Sequence, residues 1–284
     1  NELREEMERD GVTFSTGSDS EVIAQMLANA PGGDWKERWA HVMRKLNGAY
    51  SLAVITPDSL MMARDPMGNR PLCLGKLDGG WVSASESCAL DHLGATFIRE
   101  VEPGEVIYID AEGLQSFKPL GESDKKAFCA FEYIYFSRLD SVLEGKLLYS
   151  VRMNLGRQLA KEHPAEADIV IDVPDSATAA AIGYSQASGI PFVQGLVKNR
   201  YVGRTFIQPD QRLREVGVHL KFNALRELLQ DKRVVMVDDS IVRATTTQRV
   251  VQMLRKAGAT EVHMRVSSPP ITHPCFYGID MGTR

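Results

Sequence analysis

The 284-residue chain carries 33 Lys and Arg against 37 Asp and Glu, a formal net charge of -4. That balance argues against a general affinity for nucleic acid or for an anionic membrane. A hydrophobic share of 44% and a charged share of 25% are ordinary for a globular protein, and the longest apolar runs are far too short to span a bilayer.

The length makes two domains the default expectation. No basic segment followed by an apolar one opens the chain, so no export signal is visible. Cys73, Cys88, Cys129 and Cys275 are spread widely, unlike a disulfide framework. The expected compartment is the cytoplasm. Free cysteines are most often small buried apolar residues, which is the reading for Cys73 and Cys88.

Residues 1–11, NELREEMERDG, read as a helix already under way with no initiating Met. Ser18-Asp19 ahead of an amphipathic segment reads as a cap. Helices are expected over residues 19–28 and 34–46, the second with Trp35, Trp39, Val42, Met43 and Leu46 on one face. From 51 to 117, short strand-like runs such as SLAVIT, SLMMAR, WVSAS, TFIREV and EVIYID alternate with turn signals such as Gly79-Gly80 and Pro103-Gly104. This predicts a meandering antiparallel sheet covered by helices. Arg64, Asp65, Gly68 and Arg70 fall at a strand-to-turn junction and read as hairpin chemistry.

The polar stretch 120–126 is the natural hinge, giving expected domains 1–125 and 126–284. From about residue 150 the rhythm becomes helix, strand, helix, strand, the signature of a parallel sheet with crossover helices. Residues 169–173 form a buried strand, with Pro174, Asp175 and Ser176 at its carboxyl end before an alanine-rich helix. Asp175 or Ser176 is a natural N-cap there, and this edge of an open sheet is also where ligands bind. A strand over 192–196 leads into KNRYVGRT, a basic loop. Such a loop is commonly a solvated surface, yet here it could close over a polyanion and exclude water.

The densest information lies in VVMVDDSIVRATTT, residues 234–247. Four apolar, mostly β-branched residues suit a strand buried on both faces. Asp238 and Asp239 follow at its carboxyl end, then Ser240, Arg243, Ala244, Thr245, Thr246, Thr247 and Gln248 lead into a helix with Val250, Val251, Leu254 and Ala257 in register. A helix start rich in hydroxyls and lacking acids is a phosphate site. The two carboxylates can accept hydrogen bonds from a vicinal diol and hold a hard divalent cation. Phosphate on one side and a diol on the other describe a ribose 5-phosphate. The plainer alternative is an Asp-Asp-Ser strand end that caps a helix. No GxxxxGK[ST] sequence occurs, so an ATPase has no support.

This stretch resembles the phosphoribosyl pyrophosphate (PRPP) signature of the phosphoribosyltransferases. The segments GSDSEVI, RDPMGNRPL, ASES, REVEPGE, FEYIYFSRLDS, VPDSATAAAIGY, VKNRYVGRTFIQP and SSPPITHPCFYGID extend the resemblance across nearly the whole chain, to the glutamine PRPP amidotransferase family. The resemblance implies an α+β Ntn-hydrolase-like antiparallel sandwich, incomplete at its start, followed by an α/β phosphoribosyltransferase domain with a parallel sheet. It implies that PRPP meets Asp175, Lys198, Tyr201, Arg204, Asp238, Asp239, Ser240, Arg243, Ala244, Thr245, Thr246, Thr247 and Gln248, and that Ser176, Asp238 and Asp239 hold Mg2+. Asp19 matches the residue that binds the α-amino group of glutamine. The nucleophilic cysteine of the family would lie before Asn1.

One branch of the family carries a [4Fe–4S] cluster on four cysteines. Cys129 and Cys275 match two of these, and the other pair would lie beyond Arg284. His273 reads as structural. Ala244 departs from the glycine usual in the family, which puts the tightness of the phosphate loop in question. The resemblance further implies a homotetramer inhibited by purine nucleotides, acting at the first step of purine synthesis. Rival readings are a salvage enzyme joining a nucleobase to PRPP, a non-catalytic PRPP sensor that binds DNA, and an inactive paralogue. The glutaminase-like half counts against the first. The lack of a basic face counts against the second.

Overall fold

The computed structural model describes residues 2–122, 125–199, 201, 221–241 and 245–278. Two compact units divide the chain, one over Asn1–Cys129 and one over Ala130–Cys275. Among the described residues no helix is long and apolar enough to cross a membrane.

In the first unit, helices α1 (Glu2–Arg9), α2 (Asp19–Asn29) and α3 (Trp35–Lys45) precede the strands. Ser18 caps α2 by accepting from the amide of Ser20, and Asp34 caps α3 by accepting from the amide of Glu37 at 2.8 Å. The strands that follow are β1 (Ser51–Ile55), β2 (Leu60–Arg64), β3 (Cys73–Leu77), β4 (Gly80–Ala84), β5 (Thr96–Glu100), β6 (Val106–Asp110) and β7 (Gly113–Phe117). They form two antiparallel sheets, in the orders β1-β2-β6-β7 and β4-β3-β5. Two sheets agree with the antiparallel sandwich that the family resemblance implies, and they correct the single meandering sheet expected from the strand-like runs.

The period of two along β2 explains the layering. Met61 and Ala63 pack with Trp39, Val42 and Met43 of α3, while Met62 packs with Leu74 of β3. A further helix, α4 (Ser87–Leu93), covers the other face of the second sheet through Leu90. The run of residues did not announce α4 or β3. Gly75 interrupts β3, and it is small because a Cβ there would stand 2.8 Å from a Leu90 methyl. The RDPMGNRP turn has a structural role, but the hairpin reading is corrected, since β2 and β3 on either side of it belong to different sheets. Arg64 is buried and donates to the carbonyls of Arg70, Val101 and Gly68, while buried Asp65 accepts from the amides of Met67 and Asn69.

The second unit opens with a π-helical turn (Glu132–Phe136) and a short hairpin of β8 (Val142–Leu143) and β9 (Lys146–Leu147). Then come α5 (Leu148–Glu162), β10 (Ile169–Asp172), α6 (Thr178–Ser188), β11 (Leu196–Lys198), β12 (Phe222–Ala224), β13 (Arg233–Asp238), the helix Thr245–Lys256 and β14 (Glu261–Val266). The parallel sheet runs β10-β13-β14, with Asp172 opposite Val237 and Asp238 opposite Val266. The strand expected over 192–196 is corrected. Phe192 makes a single parallel bridge to Val170, and the chain then leaves to pair β11 with β12 in an antiparallel ribbon. Gly195 marks the departure, since a Cβ there would stand 2.6 Å from Ile171.

Candidate active site

β13 delivers the site. Val234 and Met236 pack on one face of the sheet and Val235 and Val237 on the other, all four fully buried. A strand held on both faces cannot shift in register without exposing its core, so the residues just beyond it are fixed at the carboxyl edge. Those residues are Asp238 and Asp239. The amide of Asp239 donates to Oδ1 of Asp238 at 2.9 Å, and the hydroxyl of Ser240 donates to Oδ1 of Asp239 at 2.6 Å. Their carbonyls accept from Ser267 and Ser268 beyond β14.

Burial pushes the Asp238 carboxyl up to about 7, and the charge of Asp239 adds to the effect, against the opposing Asp239 amide and Lys221. Two carboxylates crowded at a desolvated edge are short of positive charge. A hard divalent cation answers that shortage through oxygen, and the carboxylates of Asp238 and Asp239 and the hydroxyl of Ser176 are donors of that type. Among the described residues no group of three or more His, Cys, Asp or Glu is placed to hold a metal ion by itself. Mg2+ does not need one, because it keeps waters and substrate oxygens as ligands.

The second edge position lies after β10. Ile169 to Asp172 are buried, and the turn beyond carries exposed Asp175 and half-buried Ser176. Neither caps α6. The residue at the cap is Ala177, and no side chain caps this helix, which corrects the N-cap reading. Asp175 instead pairs with Lys198, Nζ to Oδ2 at 2.7 Å.

Lys198 ends β11 opposite Phe222, and the amide of Asn199 donates to the carbonyl of Lys221 at 2.8 Å. Burial lowers the proton affinity of Lys221, and the nearby Lys198 lowers it further, while Asp238, Asp175 and Asp239 act in the opposite sense. Lys221 therefore belongs with the carboxylates of the site. It was not singled out from the sequence, because it follows a long segment and no local pattern ties it to Lys198. Only the β11–β12 ribbon brings the two together. Tyr201 is fully exposed. Arg204, Arg243 and Ala244 lie outside the described residues.

Thr246 and Thr247 are half-buried and Gln248 is exposed in the first turn of the helix Thr245–Lys256, which has no acidic residue there. The helix begins at Thr245, so these threonines belong to its first turn and not to a preceding loop. In the first unit, Asp19 is the exposed first residue of α2. Glu21 accepts from the amides and hydroxyls of Ser15 and Thr16, which hold its carboxyl down to about 2. Cys73 and Cys88 are buried, as expected, and Cys129 and Cys275 are half-buried, none of the four in a disulfide.

Residues 1–92 match the family model of the glutamine amidotransferase domain. The chain is 54% identical over 286 residues to an amidophosphoribosyltransferase of Synechocystis, covering 99% of the chain and 58% of the relative. It is 51% identical over 282 residues to the amidophosphoribosyltransferase of Bacillus subtilis, covering 99% of the chain and 59% of that relative. The solved Bacillus subtilis glutamine PRPP amidotransferase, in complex with ADP and GMP, superposes with a TM-score of 0.91 at 51% identity, over 99% of the chain and 62% of that structure. A structure described as the allosteric regulatory enzyme of purine biosynthesis gives 0.90 over 99% and 60%. The chain thus spans less than two thirds of the length of these relatives.

Proposed function

We propose that this chain, which belongs by sequence and fold with the amidophosphoribosyltransferases, serves an enzyme that makes 5-phosphoribosylamine, glutamate and pyrophosphate from PRPP, glutamine and water, the opening step of purine synthesis. The observation that carries this reading is the Asp238-Asp239 pair at the buried end of β13, with the charge of Lys221 acting on it and Lys198 paired to Asp175 of the neighbouring turn. In this reading residues 1–125 form the glutaminase domain and residues 126–284 the phosphoribosyltransferase domain.

Asp238 and Asp239 accept hydrogen bonds from the ribose diol. Ser240, Arg243, Ala244 and Thr245 to Gln248 receive the 5′-phosphate at a helix start. Asp175, Lys198, Tyr201 and Arg204 meet the pyrophosphate, and Lys221 joins them on the strength of its place beside Lys198. Ser176, Asp238 and Asp239 hold Mg2+, which when bound neutralises charge developing on the leaving pyrophosphate. The protein's own contribution is positioning and charge stabilisation at the ribose carbon, with no protein nucleophile in this half. Asp19 presents an exposed carboxylate to the α-amino group of glutamine.

Purine nucleotides inhibit the enzyme in this reading, which the ADP and GMP of the Bacillus subtilis structure support. A homotetramer in the cytoplasm is the proposed working form. Cys129 and Cys275 supply two thiolates to a [4Fe–4S] cluster, which requires four ligands.

The test is pyrophosphate release by the full-length protein from PRPP and Mg2+, with glutamine in one assay and ammonium in the other. Release in both is the expected result. Release with ammonium alone would leave the carboxylate roles intact and remove the glutaminase role. No release in either from folded protein would overturn the reading.

A further inference from the structure

Asp172 ends β10 with its side chain on the α6 side of the sheet. Its neighbours in alternation show this: Ile169, Ile171 and Val173 pack in one cluster, while Val170 packs with Ala180, Ala181 and Tyr184 of α6 and with Val235 and Val237. The side chain is 3% exposed. Its Oδ2 accepts the hydroxyl of Thr178, and its Oδ1 is buried without a hydrogen-bond partner. A carboxyl in such surroundings is held there at a loss of stability, which an apolar residue would avoid. Its place suggests what offsets that loss. Asp172 lies opposite Val237, two residues before Asp239, and the five residues between Asp172 and Thr178 are the turn that carries Asp175 and Ser176.

That turn runs between two anchored elements. At its start the amide of Val173 donates to the carbonyl of Val237 at 2.9 Å. At its end α6 cannot slide, because it meets α5 backbone to backbone. A Cβ at Gly156 would stand 1.8 Å from the carbonyl oxygen of Ala180, and one at Gly183 would stand 2.0 Å from that of Met153. The first turn of α6 has no side-chain cap. The Thr178 hydroxyl on Asp172 is the side-chain tie between that first turn and the strand end.

We infer that Asp172 is a positioning residue for PRPP, acting through Thr178 to hold Asp175 and Ser176 of the turn at the carboxyl edge of the sheet. This rests on the reading of the site given under Proposed function. The glycine contacts hold α6 from Ala180 onward without the tie, so the fold persists when the tie is lost, while the uncapped first turn of the helix and the turn before it loosen.

The experiment compares full-length wild type, Asp172→Ala, Asp172→Asn, Thr178→Val and the Asp172→Ala/Thr178→Val double variant. PRPP binding with Mg2+ is measured by calorimetry and ammonium-dependent pyrophosphate release by steady-state kinetics. Asp172→Ala and Thr178→Val are each expected to raise the KM for PRPP about five- to tenfold while kcat changes less than about twofold. The double variant is expected to be no worse than the worse single one, since both act through one bond. Asp172→Asn keeps the acceptor and is expected to recover most of the affinity lost in Asp172→Ala. Unchanged KM in both single variants, or additive losses with no recovery in Asp172→Asn, would overturn the inference alone. If Asp172→Ala fails to fold, Thr178→Val decides. Folded wild type that binds no PRPP would overturn the site reading beneath it and the inference with it.

Discussion

Nζ of Lys198 stands 2.7 Å from Oδ2 of Asp175, joining the end of β11 to the turn after β10 across 23 residues. The pair is solvent-facing, with side-chain exposures of 34% and 76%. It therefore adds little to stability, of the order of 1 kcal/mol or less. Its value lies in presenting a cation beside the turn. Lys198→Met is expected to leave the urea midpoint nearly unchanged and to raise the PRPP KM roughly tenfold, equivalent to about 1.4 kcal/mol. Equal losses in stability and affinity would contradict this assignment.

Asp238 sets a pH dependence. Its folded carboxyl titrates near 7, above the unfolded range, because burial and Asp239 disfavour the charge. Between about pH 4 and pH 7 the folded state binds more protons at this group than the unfolded one, so its contribution to stability falls as pH rises through that window. Asp238→Asn removes the penalty. Relative to wild type, the variant is expected to melt at a similar temperature at pH 4 and to be more stable at pH 8, on the order of 4 kcal/mol. Added Mg2+ should narrow the pH 8 gap by stabilising wild type alone. Melting curves at the two pH values, with and without Mg2+, check both statements.

Gly156 and Gly183 lie where α5 and α6 meet. Helix propensity alone would make Gly→Ala stabilising by about 1 kcal/mol. Steric contact decides the sign, because the new methyl at either position meets a backbone carbonyl that has no room to move. Gly156→Ala and Gly183→Ala are expected to destabilise by roughly 3 kcal/mol or more, read from chemical denaturation. Any gain in stability would contradict the packing.

The N-termini of α2 and α3 separate function from capping. Asp34→Ala removes the acceptor for the Glu37 amide and is expected to cost about 1 kcal/mol with glutamine kinetics unchanged. Asp19→Ala removes an exposed carboxylate that caps nothing by its side chain, since Ser18 fills that position. It is expected to abolish glutamine-dependent activity, keep ammonium-dependent activity and shift the melting temperature little. Loss of both activities in Asp19→Ala would sink the glutamine role.

Strong local patterns set much of the fold in advance. The four apolar residues before Asp238 and Asp239 specify a buried strand wherever they sit in a sheet. The cap at Ser18, the helix-strand alternation after residue 150 and the turn dipeptides of the first unit are legible for the same reason: each is an interaction between near neighbours in sequence. From these alone come the two-part organisation, the parallel sheet of the second half and the carboxylate pair at a strand end.

Tertiary structure decided what depends on segments far apart. It split the strands of the first unit into two sheets, because pairing is chosen by which faces bury together and period two leaves that choice open. It turned β11 away from the parallel sheet, since Gly195 allows the close approach to Ile171. It brought Lys221 beside Lys198, and it buried the carboxyl of Asp172 against Thr178. A charged residue reads the same in a sequence whether it is solvated or enclosed. Its desolvation, and hence its chemistry, is fixed only when the surrounding chain closes over it.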